Sequence, residues 1–432
     1  LSVEHCGESF ASAQSQSCDL KRYLSDNVLG RRGFGDTLFL PNDCQPRVGD
    51  LIWFALRRGA SGIPSDFIPA QERKMKIGIL TGGGDCPGLN AVIRAVVRKG
   101  IFHYSDQFVG FLEGWRGLVE DKSMVLDLDT VSGILPRGGT ILRTSRTNPS
   151  KKPDGLDRCI ATIEKHKIDA LIAIGGDDTL SVAQKLYERG VKVIGVPKTI
   201  DNDLAGTDYT FGFDTAVNVV CEAIDRVHTT AEAHNRVMVV EVMGRDAGWI
   251  ALYSGIAGGA DVILIPERPF DIDKVADQIR QRHERGKYFS IVVVAEGAKF
   301  SADTNPTHGA PVLQDLGKDE FGHAKLGGIA NVLAREIERR TDYETRAVVL
   351  GHIQRGGSPS AFDRVLASRY GIGAIDLAHH GEFGVMAALR ANKIISIPLK
   401  EAIATNRTVG ADMIEMADGL LDIVVDKVTA GK

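Results

Sequence analysis

A net charge of −4 over 432 residues, with 43% hydrophobic and 25% charged residues, is the balance of a globular chain and leaves no electrostatic footprint for nucleic acid or an acidic membrane surface. No apolar run approaches the ~20 residues of a membrane-spanning helix. Six cysteines, Cys6, Cys18, Cys44, Cys86, Cys159 and Cys221, show neither paired nor metal-like spacing, which points to a reducing, cytoplasmic setting.

Residues 1–74 stand apart from the rest of the chain. Their periodicity is poor, and half of the cysteines fall there. Acidic residues such as Glu4, Glu8, Asp19 and Asp26 argue against an organellar transit peptide, and no basic start precedes a long apolar core as a secretory signal requires. The expectation is an appendage with little fixed structure, with Met75 a natural start.

From Met75 the pattern becomes regular. Lys76-Ile77-Gly78-Ile79-Leu80 predicts a strand, followed by the turn Thr81-Gly82-Gly83-Gly84-Asp85-Cys86-Pro87-Gly88-Leu89-Asn90 and a helix over 91–100. Backbone N–H groups of such a turn, with the positive end of a helix behind them, face an anion. The turn is not G-x-G-x-x-G and lacks the Lys-Ser/Thr of a P-loop. Arg137, Arg143 and Arg146 come within ten residues of one another, a spacing that fits either a solvated face or a phosphate grip.

A helix over 156–166 leads to the apolar run 170–174, a buried parallel strand. It ends in Gly175-Gly176-Asp177-Asp178-Thr179, with helical periodicity over 180–189. Carboxylates beside a phosphate repel it unless a cation lies between them, so this turn predicts Mg²⁺, a basic group or both. After the strand 191–196 comes Pro197-Lys198-Thr199-Ile200-Asp201-Asn202-Asp203, with the same ingredients. Two such turns at successive strand ends suggest one phosphoryl-transfer site. It would lie at the carboxyl ends of a doubly wound sheet, where ligands bind.

A second βα series comes next, predicting a second α/β domain. It has helices over 215–231, 251–257 and 272–285. Its strand 237–242 ends in Met243-Gly244-Arg245, and 262–266 is a further strand. The strand 290–295 ends in Glu296-Gly297. Residues 301–322 read as a loop and 326–339 as a helix. The strand 346–350 ends in Gly351-His352-Ile353-Gln354-Arg355-Gly356-Gly357-Ser358.

These five turns together, in this order over residues 75 to about 400, resemble the 6-phosphofructokinases. The resemblance implies an α/β fold of two Rossmann-like domains with mainly parallel sheets and the active site between them. The donor domain would hold 75–212 plus about 355–404, and the sugar domain 213–354 plus about 405–432. It implies phosphoryl transfer to the 1-hydroxyl of fructose 6-phosphate. Asp201 would be the general base, Asp177 the Mg²⁺ carboxylate, and Asp203 an aid to base or metal. Thr199 would contact the transferred group, Arg146 would neutralise its charge, and Gly83 and Thr179 would line the donor. For the sugar phosphate the match points to Met243, Gly244, Arg245, Glu296, His352 and Arg355. Arg236 and Arg346 would reach across from a neighbouring subunit of a homodimer or homotetramer, with a surface ion pair as the plain alternative.

Two positions depart from the ATP-using pattern of this family. Asp178 stands where those enzymes have the glycine that leaves room for a nucleotide α-phosphate. Lys198 stands before Thr199, placed for the terminal phosphate of pyrophosphate. Val182 replaces a further glycine near the nucleotide. This combination resembles the pyrophosphate-dependent branch, with reversible transfer. The alternatives are an ATP-dependent phosphofructokinase, a non-catalytic sugar-phosphate-binding homologue, and an NAD kinase-like enzyme, which should lack the His352–Gly357 turn.

Overall fold

The computed structural model describes residues 74–301, 313–318 and 324–421. The expected appendage therefore lies, but for Lys74, outside the described residues. The first βα series is β1 (Lys76–Thr81), α1 (Leu89–Lys99), β2 (Gln107–Phe111), α2 (Trp115–Glu120), β3 (Ser123–Leu126), α3 (Gly155–Lys165), β4 (Ala170–Gly175), α4 (Asp177–Glu188) and β5 (Val193–Pro197). The second is α5 (Phe213–His234), β6 (Val237–Val242), α6 (Trp249–Ala257), β7 (Val262–Leu264), α7 (Ile272–Glu284), β8 (Ser290–Ala295), β9 (Leu313–Lys318), β10 (Ala324–Leu326), α8 (Ile329–Thr341) and β11 (Thr345–Val349). The chain then returns through α9 (Ala361–His380), β12 (Val385–Arg390), β13 (Lys393–Pro398), α10 (Leu399–Ala402) and α11 (Ala411–Leu420).

The larger sheet has the order β13-β12-β5-β4-β1-β2-β3, and the smaller β11-β6-β8-β7. Pairing is parallel throughout the smaller sheet, and in the larger one except at β2–β3 and β12–β13. Burial on both faces explains the unbroken apolar runs. Ile77, Ile79, Ile172 and Ile174 pack into one cluster, while Leu80, Leu171 and Ala173 pack into another on the opposite face. Each such aliphatic side chain contributes roughly 1.5–3 kcal/mol by leaving water. The first cluster continues through Phe211 and Phe213 to Val240, Val242, Ile291 and Val293 of the smaller sheet. The described residues thus form two Rossmann-like halves that share a core. In each sheet a strand is flanked by neighbours reached in opposite directions: β1 lies between β2 and β4, and β6 between β8 and β11. Turns at the carboxyl ends of such strands open onto a ligand crevice.

Several segments differ from their reading in the sequence, α2 and β3 among them, which its pattern does not announce. Helix α4 starts at Asp177, not at residue 180, so both aspartates lie in its first turn, where the helix dipole favours negative charge. Within the expected loop 301–322, β9 pairs antiparallel with β10, and the next helix starts at Ile329, behind Gly328 at φ 89°. The sequence pattern announces no element beyond residue 358, yet α9 is one of the longest helices. Its apolar residues are spread over all faces rather than gathered on one. Leu366, Tyr370, Ala374 and Ile375 are buried while Phe362, Val365 and Ile372 are exposed, so no single-face periodicity marks it.

Candidate active site

The side of the crevice that the sequence assigns to the phosphoryl donor is built on the carboxyl ends of β1, β4 and β5. Gly82 N–H donates to the Ile174 carbonyl (2.9 Å), which holds the first glycine turn beside the second. Thr179, in the first turn of α4, fills the space between them. A Cβ at Gly82 would lie 2.5 Å from its Oγ1, and one at Gly175 would lie 2.3 Å from its Cβ. Only glycine at both positions lets Thr179 close the turns on each other. Gly83, at φ 77°, accepts a hydrogen bond from Thr144 Oγ1 (2.5 Å), and Thr81 Oγ1 donates to the Arg143 carbonyl. These bonds lay the segment carrying Arg146 alongside the glycine turn, with Arg146 itself exposed.

Lys198 is 4% exposed and donates from Nζ to the Gly84 carbonyl (2.7 Å). Burial is the main force lowering its pKa, and the neighbouring charges include Arg355, Asp201 and Asp177. The ammonium therefore lies among the glycine turn, the carboxylates and the sugar-side arginine. Asp177 and Asp178 are half-buried. Asp201 N–H donates to Thr199 Oγ1 (3.0 Å), and that hydroxyl lies 3.3 Å from Asp201 Oδ2. Asp203 is pushed up to about 7, first by burial and then by the charges of Asp201 and Asp177, while Arg245 opposes this. Three carboxylates thus crowd one place closely enough to repel. Among the described residues no group of three or more His, Cys, Asp or Glu is placed to hold a metal ion. Asp177 with one neighbour fits the lesser demand of Mg²⁺, which takes one or two carboxylates and completes its shell with phosphate oxygens and water.

The side that the sequence assigns to the sugar phosphate is built on the carboxyl ends of β6, β8 and β11. Backbone bonds join the three: Glu296 N–H to the Val242 carbonyl (2.8 Å), Gly297 N–H to the Gly244 carbonyl (3.0 Å), and Leu350 N–H to the Glu241 carbonyl (3.1 Å). Burial, then the charges of Asp201 and Glu241, push the Glu296 carboxyl up to about 7. Glu241 is itself buried. Its carboxylate accepts from the N–H groups of Gly328 and Ala330 at the start of α8. Arg245 pairs with Asp246 (2.8 Å) while its charge is felt at Asp203. Arg355 donates to the Asp85 carbonyl (3.3 Å) and so spans from the sugar-side turn to the donor-side turn. His352 is exposed.

Gln354 is a residue of the site that the sequence pattern does not single out. It is fully buried, its Oε1 accepts from Met243 N–H (3.2 Å), and its Nε2 donates to the Gly351 carbonyl (3.0 Å). The available signal is an amide flanked by charged and glycine residues, able to donate and accept at once.

Arg236 and Arg346 are not brought to this place within one chain. Arg236 precedes β6 and Arg346 lies near the start of β11, at the amino ends of parallel strands whose carboxyl ends carry Met243 and His352. A strand of six residues separates the two ends by roughly 20 Å. Both arginines bond Glu344 Oε1, at 2.8 and 2.5 Å, and Arg236 Nε is buried without a hydrogen bond.

The phosphofructokinase family model matches residues 76–378. The chain is 57% identical over 342 residues, 79% of its length and 98% of the relative's, to a Streptomyces coelicolor protein named pyrophosphate–fructose 6-phosphate 1-phosphotransferase. It is 52% identical over 335 residues, 78% of its length and 96% of the relative's, to ATP-dependent 6-phosphofructokinase 3 of the same organism. Among solved structures, the phosphofructokinase of Saccharomyces cerevisiae superposes with a TM-score of 0.66 at 32% identity, over 77% of this chain and 45% of that longer one.

Proposed function

The chain belongs to the phosphofructokinase family, enzymes that transfer a phosphoryl group to fructose 6-phosphate, and from that premise we propose pyrophosphate as its phosphoryl donor. Relatives named for pyrophosphate and for ATP stand at 57% and 52% identity, so the choice rests on side chains. The observation that carries it is Asp178, half-buried in the first turn of α4, next to the Thr179 that touches Gly82. A carboxylate there opposes a third phosphate by bulk and by charge. Lys198 supports the same reading, as a buried cation hydrogen-bonded to the glycine turn and suited to the short, charge-dense donor.

In this proposal Asp201 accepts the proton of the sugar's 1-hydroxyl as its oxygen attacks the terminal phosphorus of pyrophosphate. The bridging P–O bond breaks and phosphate leaves. Thr199 orients Asp201 through its hydroxyl, and contacts the group in transit. Asp177 would hold Mg²⁺, with Asp203 beside it, and the ion supplies neutralisation of charge on the phosphates. Arg146 and Lys198 add fixed positive charge, while Gly83 and Thr179 shape the donor turn. Met243, Gly244, Arg245, Glu296, His352 and Arg355 bind the sugar phosphate. Arg236 and Arg346 serve a neighbouring subunit of a homodimer or homotetramer. We place the donor half at residues 75–212 and about 355–404, the sugar half at 213–354 and about 405–432, and the enzyme in the cytoplasm.

The test is a coupled assay with fructose 6-phosphate and Mg²⁺, comparing pyrophosphate, ATP and polyphosphate. Pyrophosphate should be consumed in the forward direction and formed from phosphate and fructose 1,6-bisphosphate in reverse, and ATP should be used poorly. A preference for ATP would overturn the donor assignment and promote the ATP-dependent reading.

A further inference from the structure

The returning C-terminal segment touches both halves of the molecule at one residue. Arg407 N–H donates to the Asp203 carbonyl (2.7 Å), and its Nη1 donates to the Asn202 carbonyl (3.2 Å). Its guanidinium lies over the Trp249 ring of α6, 4.2 Å from the centroid, and Trp249 Nε1–H donates to the Arg407 carbonyl (2.9 Å). Two residues on, Val409 N–H donates to Glu267 Oε1 (2.9 Å), and the same carboxylate accepts from Gly248 N–H just before α6. One segment thus joins the donor-side loop to the sugar-side helix.

Asn202, next to Asp201, is in the left-handed region at φ 53°, which asparagine enters more readily than other L-residues and which fixes the direction of its carbonyl. Asn202 Oδ1 accepts from Thr210 N–H (3.0 Å) on one side, and Arg407 takes the carbonyl on the other. A cation over an indole face is attracted by the ring, so Trp249 fixes the direction from which that donor comes.

We propose that Arg407 is a positioning residue for Asp201, held in aim by Trp249, and so couples the placement of the base to the sugar-side half. The proposal rests on the assignment of Asp201 as the base. Misplacing a reacting group by about 1 Å costs on the order of 10²-fold in rate.

The test uses the full chain with its preferred donor, at a temperature where circular dichroism shows each variant folded. Arg407→Met keeps length and removes charge and donors. It should lower kcat roughly ten- to hundredfold, with KM for fructose 6-phosphate and donor changed by less than about twofold. Arg407→Lys, which keeps a cation able to reach the carbonyl and the ring, should recover at least about tenfold of that loss where it is largest. A folded Arg407→Met with normal kcat, or a Lys variant no better than Met, would overturn the proposal. Should Arg407→Met not fold, Trp249→Phe removes the indole N–H and shrinks the ring while keeping an aromatic face under the guanidinium. It should then lower kcat about two- to fivefold without moving either KM, and an unchanged kcat there would equally overturn it. Asp201→Asn, run alongside, separates the two ideas: normal turnover in that variant sinks the base assignment itself, whatever Arg407 does.

Discussion

The two sides of the crevice are built differently. On the sugar side, the turns after β6, β8 and β11 are joined by backbone hydrogen bonds, from Glu296 to Val242, Gly297 to Gly244 and Leu350 to Glu241. On the donor side, backbone bonds also join the turns, from Gly82 to Ile174 and from Lys198 to Gly175, but side chains add further ties: Thr179 wedged between Gly82 and Gly175, Thr144 on the Gly83 carbonyl, Lys198 on the Gly84 carbonyl. A site held by backbone resists change by substitution, because every residue carries the same N–H and C=O. A site held by side chains can be re-tuned by one or two replacements. Relatives at 57% and 52% identity that are named for different donors but for the same phosphofructo sugar fit that division. On the proposed reading, the donor side, with more of its ties made by side chains, is the part that one or two replacements can re-tune.

The largest break falls on the loop between the two sides. Asp201→Asn keeps shape and removes basicity, so kcat should fall roughly 10²–10⁴-fold, the range of general acid–base catalysis, while fructose 6-phosphate affinity changes far less. Turnover within a fewfold of wild type, measured in the coupled assay, would make Asp201 a turn residue.

Next in size is the proposed contribution of another subunit to the sugar side. Arg346 lies at the wrong end of β11 to reach its own crevice, so Arg346→Ala should act on a neighbour's site. Losing a charge-assisted hydrogen bond of about 1.5–3 kcal/mol should raise KM for fructose 6-phosphate roughly 10- to 150-fold. Mixing this variant with Asp201→Asn should return partial activity through hybrid sites. Subunit exchange verified by mass, but with no recovery, would leave Arg346 as the partner of Glu344 alone.

The donor side should prove separable from all of this. Asp178→Gly should raise kcat/KM for ATP at least tenfold, about 1.4 kcal/mol, with KM for fructose 6-phosphate unmoved. Lys198→Ala should chiefly damage pyrophosphate use. A change in sugar affinity as large as the change in donor use would erase the distinction between the two sides.

Legibility in the sequence divides along the same line. Turns that place phosphate-handling groups after apolar strands are local, so Gly82–Gly84, Asp177–Thr179, Thr199–Asp203 and Met243–Arg245 can be read residue by residue. The ties between them cannot. Gln354 meets Met243 across 111 positions, and Arg407 meets the Asn202 carbonyl across 205, distances at which no periodicity operates. Helix α9 escapes because burial on one side and exposed apolar residues on the other erase the stripe that marks a helix. The hairpin β9–β10 escapes because its polar, glycine-bearing residues read as turn chemistry.

The smallest expected effect is on stability, and it probes the sugar side alone. Glu296 has a folded-state pKa of about 7 against an ordinary 4.5, because burial and the charges of Asp201 and Glu241 disfavour its ionised form. A carboxyl raised on folding stabilises the native state fully below its unfolded value and loses that contribution as pH climbs through its folded value. Between pH 5.5 and 8.5 the wild type must therefore lose stability that Glu296→Gln, which cannot ionise, retains. The Tm of the variant minus that of the wild type should grow by a few degrees over this window, measured without Mg²⁺ or substrate. Asp203 titrates in both proteins and cancels from the difference. A gap that stays constant from pH 5.5 to 8.5 would mean that Glu296 is ionised throughout. The sugar-side framework would then already carry its charge without cost, and its contrast with the crowded donor-side carboxylates would be sharper still.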